Sequence, residues 1–246
     1  MALKIEHSGQ AVPAITREQM LEVDRIMTVD LGISLMQMME QAGYRLAALA
    51  GKRFLDGDAA GKRVAILAGR GGNGGGAMAC ARLLSGWGCR VTTVLAGEPG
   101  PGSAARQQLD ILGRLEVPVI SAREVGALPQ QHLIIDGMVG YGLAGALRGD
   151  IADLAVWVNH QSAPVLSLDL PSGMDANLGL QYALCVKATA TMTLALPKVG
   201  LLARGAKSHV GELYLADIGV PKSLFSRLQP PIPEPDLSWK EGLLML

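Results

Sequence analysis

Beyond about residue 60 the chain alternates short, nearly uninterrupted apolar runs with stretches of helical periodicity. The runs Val64–Leu67, Val91–Leu95, Val117–Ile120, Leu133–Ile135, Val165–Leu168, Ala190–Ala195 and Gly211–Ala216 read as strands. Helical spacing falls at 76–86, 103–115 and 149–160, with Ser103 placed to cap the middle one. Two helices precede this alternation. Thr16 and Gln19 form a capping box ahead of Met20, Val23, Met27 and Val29. Ser34 and Gln37 repeat it ahead of Met38, Ala42, Leu46 and Leu49. Apolar strands alternating with helices predict an α/β fold with a mostly parallel sheet covered on both faces. The segment QPPIPEPD at Gln229–Asp236 excludes helix and central strand and reads as an extended linker or surface strap.

Composition narrows the class. Of the 246 residues 49% are hydrophobic and 18% charged, which supports one large globular domain. The formal net charge of zero gives no sign of a nucleic-acid or membrane-surface partner. No apolar run reaches the ~18 residues that span a bilayer. The opening MALKIEHSGQ lacks the apolar core of a secretion signal, and a cytoplasmic setting is expected. Cys80, Cys89 and Cys185 are too scattered for a disulfide framework and read as buried small hydrophobes. His7, His132, His160 and His209 are isolated, which argues against zinc chemistry.

Candidate chemistry gathers where strands end. The stretch VAILAGRGGNGGGAMACARLL from Val64 to Leu84 is a strand, a glycine turn and a helix. Such a turn lets backbone N–H groups approach a phosphate at the positive end of the helix. Gly69, Gly71 and Gly74 fit G-x-G-x-x-G, a weak signal in a chain of 31 glycines, but Asn73 adds an amide oxygen at the tip. Two further strands run into Asp136 and Asp169, each followed by a glycine-rich loop. Ligands of open parallel sheets bind at that edge. Asn73, Asp136 and Ser172 offer only oxygen, with one carboxylate, which suits a monovalent cation. The chain lacks G-K-[ST] and G-x-S-x-G, so it is neither a Walker P-loop protein nor a hydrolase with a nucleophile elbow.

The motifs, in order, resemble those of the NAD(P)H-hydrate epimerases, the YjeF N-terminal domain. The family's G-x-G-N-N-G-G-D-G corresponds to Gly69–Ala77, and its D-A-x-F-G-x-G to Asp136–Gly142. S-x-D-x-P-S-G-x-D-A corresponds to Ser167–Ala176, P-K-x-G-L to Pro197–Leu201 and D-I-G-I-P to Asp217–Pro221. Met39–Gly43 matches M-E-N-A-G, and the matches run from about residue 14 to 224. The resemblance implies a Rossmann-like three-layer α/β/α sandwich and interconversion of the R and S epimers of hydrated NADH and NADPH. It implies one potassium ion per subunit, on Asn73, Asp136 and Ser172. Substrate-contacting residues would be Gly72, Asn73, Gly74, Gly75, Gly76, Gly140, Tyr141, Gly142, Leu143, Ala144, Gly145, Ala146 and Asp169. It further implies a homodimer, and a separate NAD(P)H-hydrate dehydratase as a functional partner. On this reading residues 1–225 form the domain and 226–246 a proline-rich tail.

Four positions depart from the family. Gly72 and Gly76 stand where it has the loop Asn and Asp, Val139 where it has an aromatic residue, and Gln41 where it has Asn. An alternative is therefore a binding module of the same fold that kept the pocket and lost turnover. For the enzyme, epimerisation of a hemiaminal at C6 requires a group that protonates the departing hydroxyl and guides water back. Asp169 is the first choice, with Asp136 the better ion ligand. Lys198 reads either as a phosphate contact or as a solvated surface lysine.

Overall fold

The computed structural model describes residues 6–7, 12–235 and 242–246. Among them runs one nine-stranded sheet: β1 (Glu6–His7), β2 (Arg63–Ala68), β3 (Arg90–Leu95), β4 (Val119–Ser121), β5 (Leu133–Gly137), β6 (Val165–Leu168), β7 (Ala190–Leu194), β8 (Glu212–Ala216) and β9 (Leu243–Met245). Its order is β1-β9-β8-β7-β6-β5-β2-β3-β4. All pairs are parallel except β8 with β9. The helices are α1 (Arg17–Arg25), α2 (Leu35–Phe54), α3 (Gly72–Gly86), α4 (Ala104–Arg114), α5 (Gly149–Asn159) and α6 (Lys207–Val210).

Alternation along β2 explains the three layers. Val64, Ile66 and Ala68 pack with α2, α3 and α4 on one face. Ala65 and Leu67 pack with Leu154, Ala155 and Val158 of α5 on the other. Successive strand residues point to opposite faces, so a strand buried on both sides reads as a continuous apolar run.

The expected caps form. Thr16 and Ser34 each close a capping box with the glutamine three residues on, and Ser103 Oγ accepts from the Arg106 amide. Three details differ. Val29 is 71% exposed rather than part of the apolar stripe. It lies in a π-turn, Ile26–Asp30, whose wider winding takes it off the buried face set by Met20, Val23 and Met27. Next, α3 starts at Gly72, so the glycine turn is largely the first turn of a helix. Finally, residues 242–246 contribute β9 beside β8. Leu228 and Ile232 are buried with Met20 and Val23 of α1, and Gln19 Nε2 donates to the Pro230 carbonyl at 2.9 Å.

Candidate functional site

The neighbouring strands β7, β6, β5 and β2 send their carboxyl ends to one edge of the sheet. From β2 the chain enters the glycine turn. An ideal Cβ on Gly74 would sit 1.8 Å from the Gly69 carbonyl oxygen, so only glycine lets the turn close this tightly. Gly71, the N-cap of α3, has no capping side chain, which leaves the first-turn N–H groups free to bind an anion. Gly71, Gly72 and Asn73 line a cavity of about 820 Å³, within the range of small-molecule sites.

Asp136 lies inside β5, one residue before its end, and is fully buried. Its Oδ1 accepts from Ser172 Oγ at 2.6 Å and the Met138 amide at 3.3 Å. Its Oδ2 accepts from Ser167 Oγ and the Ser172 amide, both at 2.9 Å. Burial raises its pKa, and these hydrogen bonds oppose the rise. All four donors are neutral, and no ion pair to Asp136 occurs among the described residues.

Asp169 follows β6 in the left-handed region, at φ 68°. The Leu170 amide closes on the Leu168 carbonyl at 2.9 Å, a tight three-residue turn that sends the Asp169 side chain into the cavity. Its Oδ2 accepts from the Tyr141 amide at 2.8 Å. Its Oδ1 accepts no well-angled hydrogen bond and is held by charge, 2.5 Å from Lys198 Nζ. That ammonium donates to the Leu194 carbonyl at 2.8 Å. Lys198 is fully buried, which corrects the surface reading, and Asp169 is the carboxylate it pairs with directly.

The cavity is lined by Gly72, Asn73, Gly76, the whole run Gly140–Ala146 and Asp169. The other expected contacts are not on its wall. Gly74 and Gly75 are buried in the first turn of α3, where the turn closes on Gly69 and on Met39. Asp136 and Ser172 lie fully buried behind it. Asn73 Nδ2 donates to the Leu168 carbonyl at 3.1 Å. A Cβ on Gly140 would meet Asn73 Oδ1 at 3.1 Å and Asp169 Oδ2 at 2.6 Å, so glycine here lets the amide and the carboxylate approach. The donors Asn73, Asp136 and Ser172 are all oxygen and in kind suit a hard monovalent cation.

Sequence reasoning missed Asp24 of α1. This half-buried carboxylate lines the same cavity and accepts a short hydrogen bond from the Tyr141 hydroxyl. A single Asp among the polar residues of a helix carries no signal of this. The three cysteines are free and buried, and burial pushes the Cys185 thiol up to about 12, so none is an activated nucleophile.

Fold and site thus define an α/β protein with a phosphate-type glycine turn and a carboxylate-lined cavity at the sheet's carboxyl edge. The chain belongs to the family described as YjeF-related protein N-terminus, whose model matches residues 35–200. A protein of Dehalogenimonas lykanthroporepellens named NAD(P)H-hydrate epimerase is 40% identical over 92% of this chain and 91% of its own length. Another of that name, from Levilactobacillus brevis, is 34% identical over 84% of this chain and 94% of its own. The Bifunctional NAD(P)H-hydrate repair enzyme Nnr of Moorella thermoacetica is 32% identical over 85% of this chain, which spans 41% of that protein. The crystal structure of yeast YNL200c superposes with a TM-score of 0.79 at 23% identity, over 96% of this chain and 100% of that one, and shows the same fold. No helix among the described residues is long and apolar enough to cross a membrane.

Proposed function

We propose that this chain interconverts the R and S epimers of hydrated NADH and NADPH, a nucleotide-repair isomerase in the cytoplasm. The observation that carries the reading is the Asp169–Lys198 pair: a buried carboxylate poised by a lysine, facing a nucleotide-sized cavity beside a glycine turn. The names of the most similar relatives point the same way.

Each residue has a task on this reading. The orphan N–H groups at the start of α3 receive the diphosphate, with the exposed Arg70 and Arg148 on the cavity wall adding positive charge. Residues Gly140–Ala146 pack along the substrate, and fixing its orientation lowers the entropic part of the barrier. Asp169 handles the proton as the C6 hydroxyl leaves as water and water returns to the ring. Asn73, Asp136 and Ser172 would hold a potassium ion, one per subunit, supplying fixed positive charge behind the cavity. Residues 1–225 form the epimerase domain and 226–246 a proline-rich tail whose end adds β9 to the domain's sheet; the active form is a homodimer, and a separate dehydratase consumes the product.

Gly72 and Gly76 favour a second reading, a binding module without turnover, since they remove the two polar side chains of the family's loop. Equilibration of the purified R epimer of hydrated NADH separates the two. The enzyme speeds equilibration above the protein-free rate; a binding module leaves that rate unchanged while still retaining the dinucleotide.

A further inference from the structure

The cavity holds more proton-handling groups than one acid requires. Tyr141 links two carboxylates: its amide donates to Asp169 and its hydroxyl to Asp24. The two acids therefore stand at opposite ends of one tyrosine, and both line the cavity. Lys198 acts electrostatically on Asp24 as well as pairing with Asp169. Two carboxylates facing one buried ammonium are balanced when they share a single proton.

Inverting a hydroxyl-bearing carbon by loss and return of water needs proton transfer on both faces of the ring. Resting on the epimerase reading above, we propose that Asp24, with the Tyr141 hydroxyl, is the second acid–base group of this cavity, serving the ring face opposite the one served by Asp169. The protonated carboxyl on one face gives its proton to the C6 hydroxyl. The C6–O bond breaks, water leaves, and the ring-nitrogen lone pair forms the C6–N double bond. Water then adds from the other face; an oxygen lone pair forms the new C6–O bond, and the double-bond pair returns to nitrogen. The added water's proton passes to the opposite carboxylate. The site ends with one shared proton, as it began, ready for the reverse passage. Burial favours the protonated form of Asp24, which suits this task.

Heavy-oxygen water separates this two-face arrangement from a supporting role for Asp24. Each pure epimer is incubated with protein, the epimers are resolved chromatographically, and the label in each is read by mass spectrometry, with protein-free rates subtracted. In the wild type every inversion carries in one solvent oxygen. Asp24→Asn is expected to slow inversion by about 10²-fold. One epimer should lose far less oxygen exchange than inversion, because water can still leave and return on the Asp169 face. Asp169→Asn should give the mirror result, with exchange kept in the other epimer. Tyr141→Phe keeps the ring, tests the same point should Asp24→Asn fold poorly, and should slow inversion by about tenfold with exchange kept. Equal loss of inversion and exchange in both Asp24→Asn and Tyr141→Phe would overturn the proposal. So would unchanged inversion in Asp24→Asn, or wild-type inversion without label. A wild type that inverts no faster than the blank would overturn the epimerase reading itself, and this proposal with it.

Discussion

Asp136 and Asp169 belong to adjacent strands, and Ser167, two residues before Asp169, pairs with Asp136 across the β5–β6 ladder. Their surroundings differ in kind. Asp136 is sealed behind the cavity and saturated by four neutral donors. Asp169 faces the cavity, takes one amide and leaves its other oxygen to a lysine. Burial raises the Asp136 pKa and its four hydrogen bonds oppose the rise, so its surroundings hold it in place rather than open it to the cavity. A carboxylate with a built-in counter-charge and an open side is suited to exchanging protons with a ligand. Position at a strand end brings both residues to the working edge, and neighbours divide the work between them.

Substitution should expose that division. The largest effect is expected at Asp169→Asn, which keeps size and one of the two acceptor oxygens and removes the charge and the proton. Epimerisation should fall by about 10²–10⁴-fold with near-normal dinucleotide affinity. Undiminished turnover would exclude the acid–base role. Asp136→Ala should act on the fold and on binding instead. It strands four buried donors and should cost about 3 kcal/mol in denaturant unfolding, with weaker dinucleotide binding. A variant as stable and as tight as the wild type would remove Asp136 from the site.

The glycine loop tests whether Asp169 works in a complete site. Gly72 has open space, its nearest neighbour being Met39 Cε at 3.9 Å. Gly76 has ordinary helical backbone, but a Cβ there meets Leu168 Cδ2 at 3.2 Å. The double variant Gly72→Asn, Gly76→Asp should fold at a cost of about 1 kcal/mol. Turnover should stay level or fall if this loop is its own working solution. A rise would favour the weakened-module reading.

The smallest effect concerns pH. Burial holds Asp24 above its usual 3.8, against the pull of the Tyr141 hydroxyl and Lys198. The folded state then binds more protons than the unfolded chain, so stability from this group is present at low pH and lost as pH rises through the folded value. In thermal melts Asp24→Asn should gain on the wild type as pH rises above the usual carboxylate value of 3.8 and through the folded one. A constant difference would show an unperturbed carboxyl.

Much of this was legible in the sequence because local rules governed it. The continuous runs of β2 and β5, the caps at Thr16, Ser34 and Ser103, and both strand-end aspartates follow from period and position. What was hidden depends on contacts distant in sequence. Asp24 meets Tyr141 across 117 positions, and neither neighbourhood announces the other. The burial of Lys198 depends on how the end of β7 turns back under Asp169. The strand β9 has three residues after a proline-rich stretch, too short for periodicity to mark.

The most direct test of the division between the two aspartates is thermal stability with potassium chloride against choline chloride at equal ionic strength. Ligand at free concentration L that binds only the folded state stabilises it by RT ln(1 + L/Kd) and so raises the melting temperature. Wild type and Asp169→Asn are expected to be stabilised by potassium to the same degree, and Asp136→Ala not at all. Full stabilisation of Asp136→Ala, or its loss in Asp169→Asn, would contradict the account.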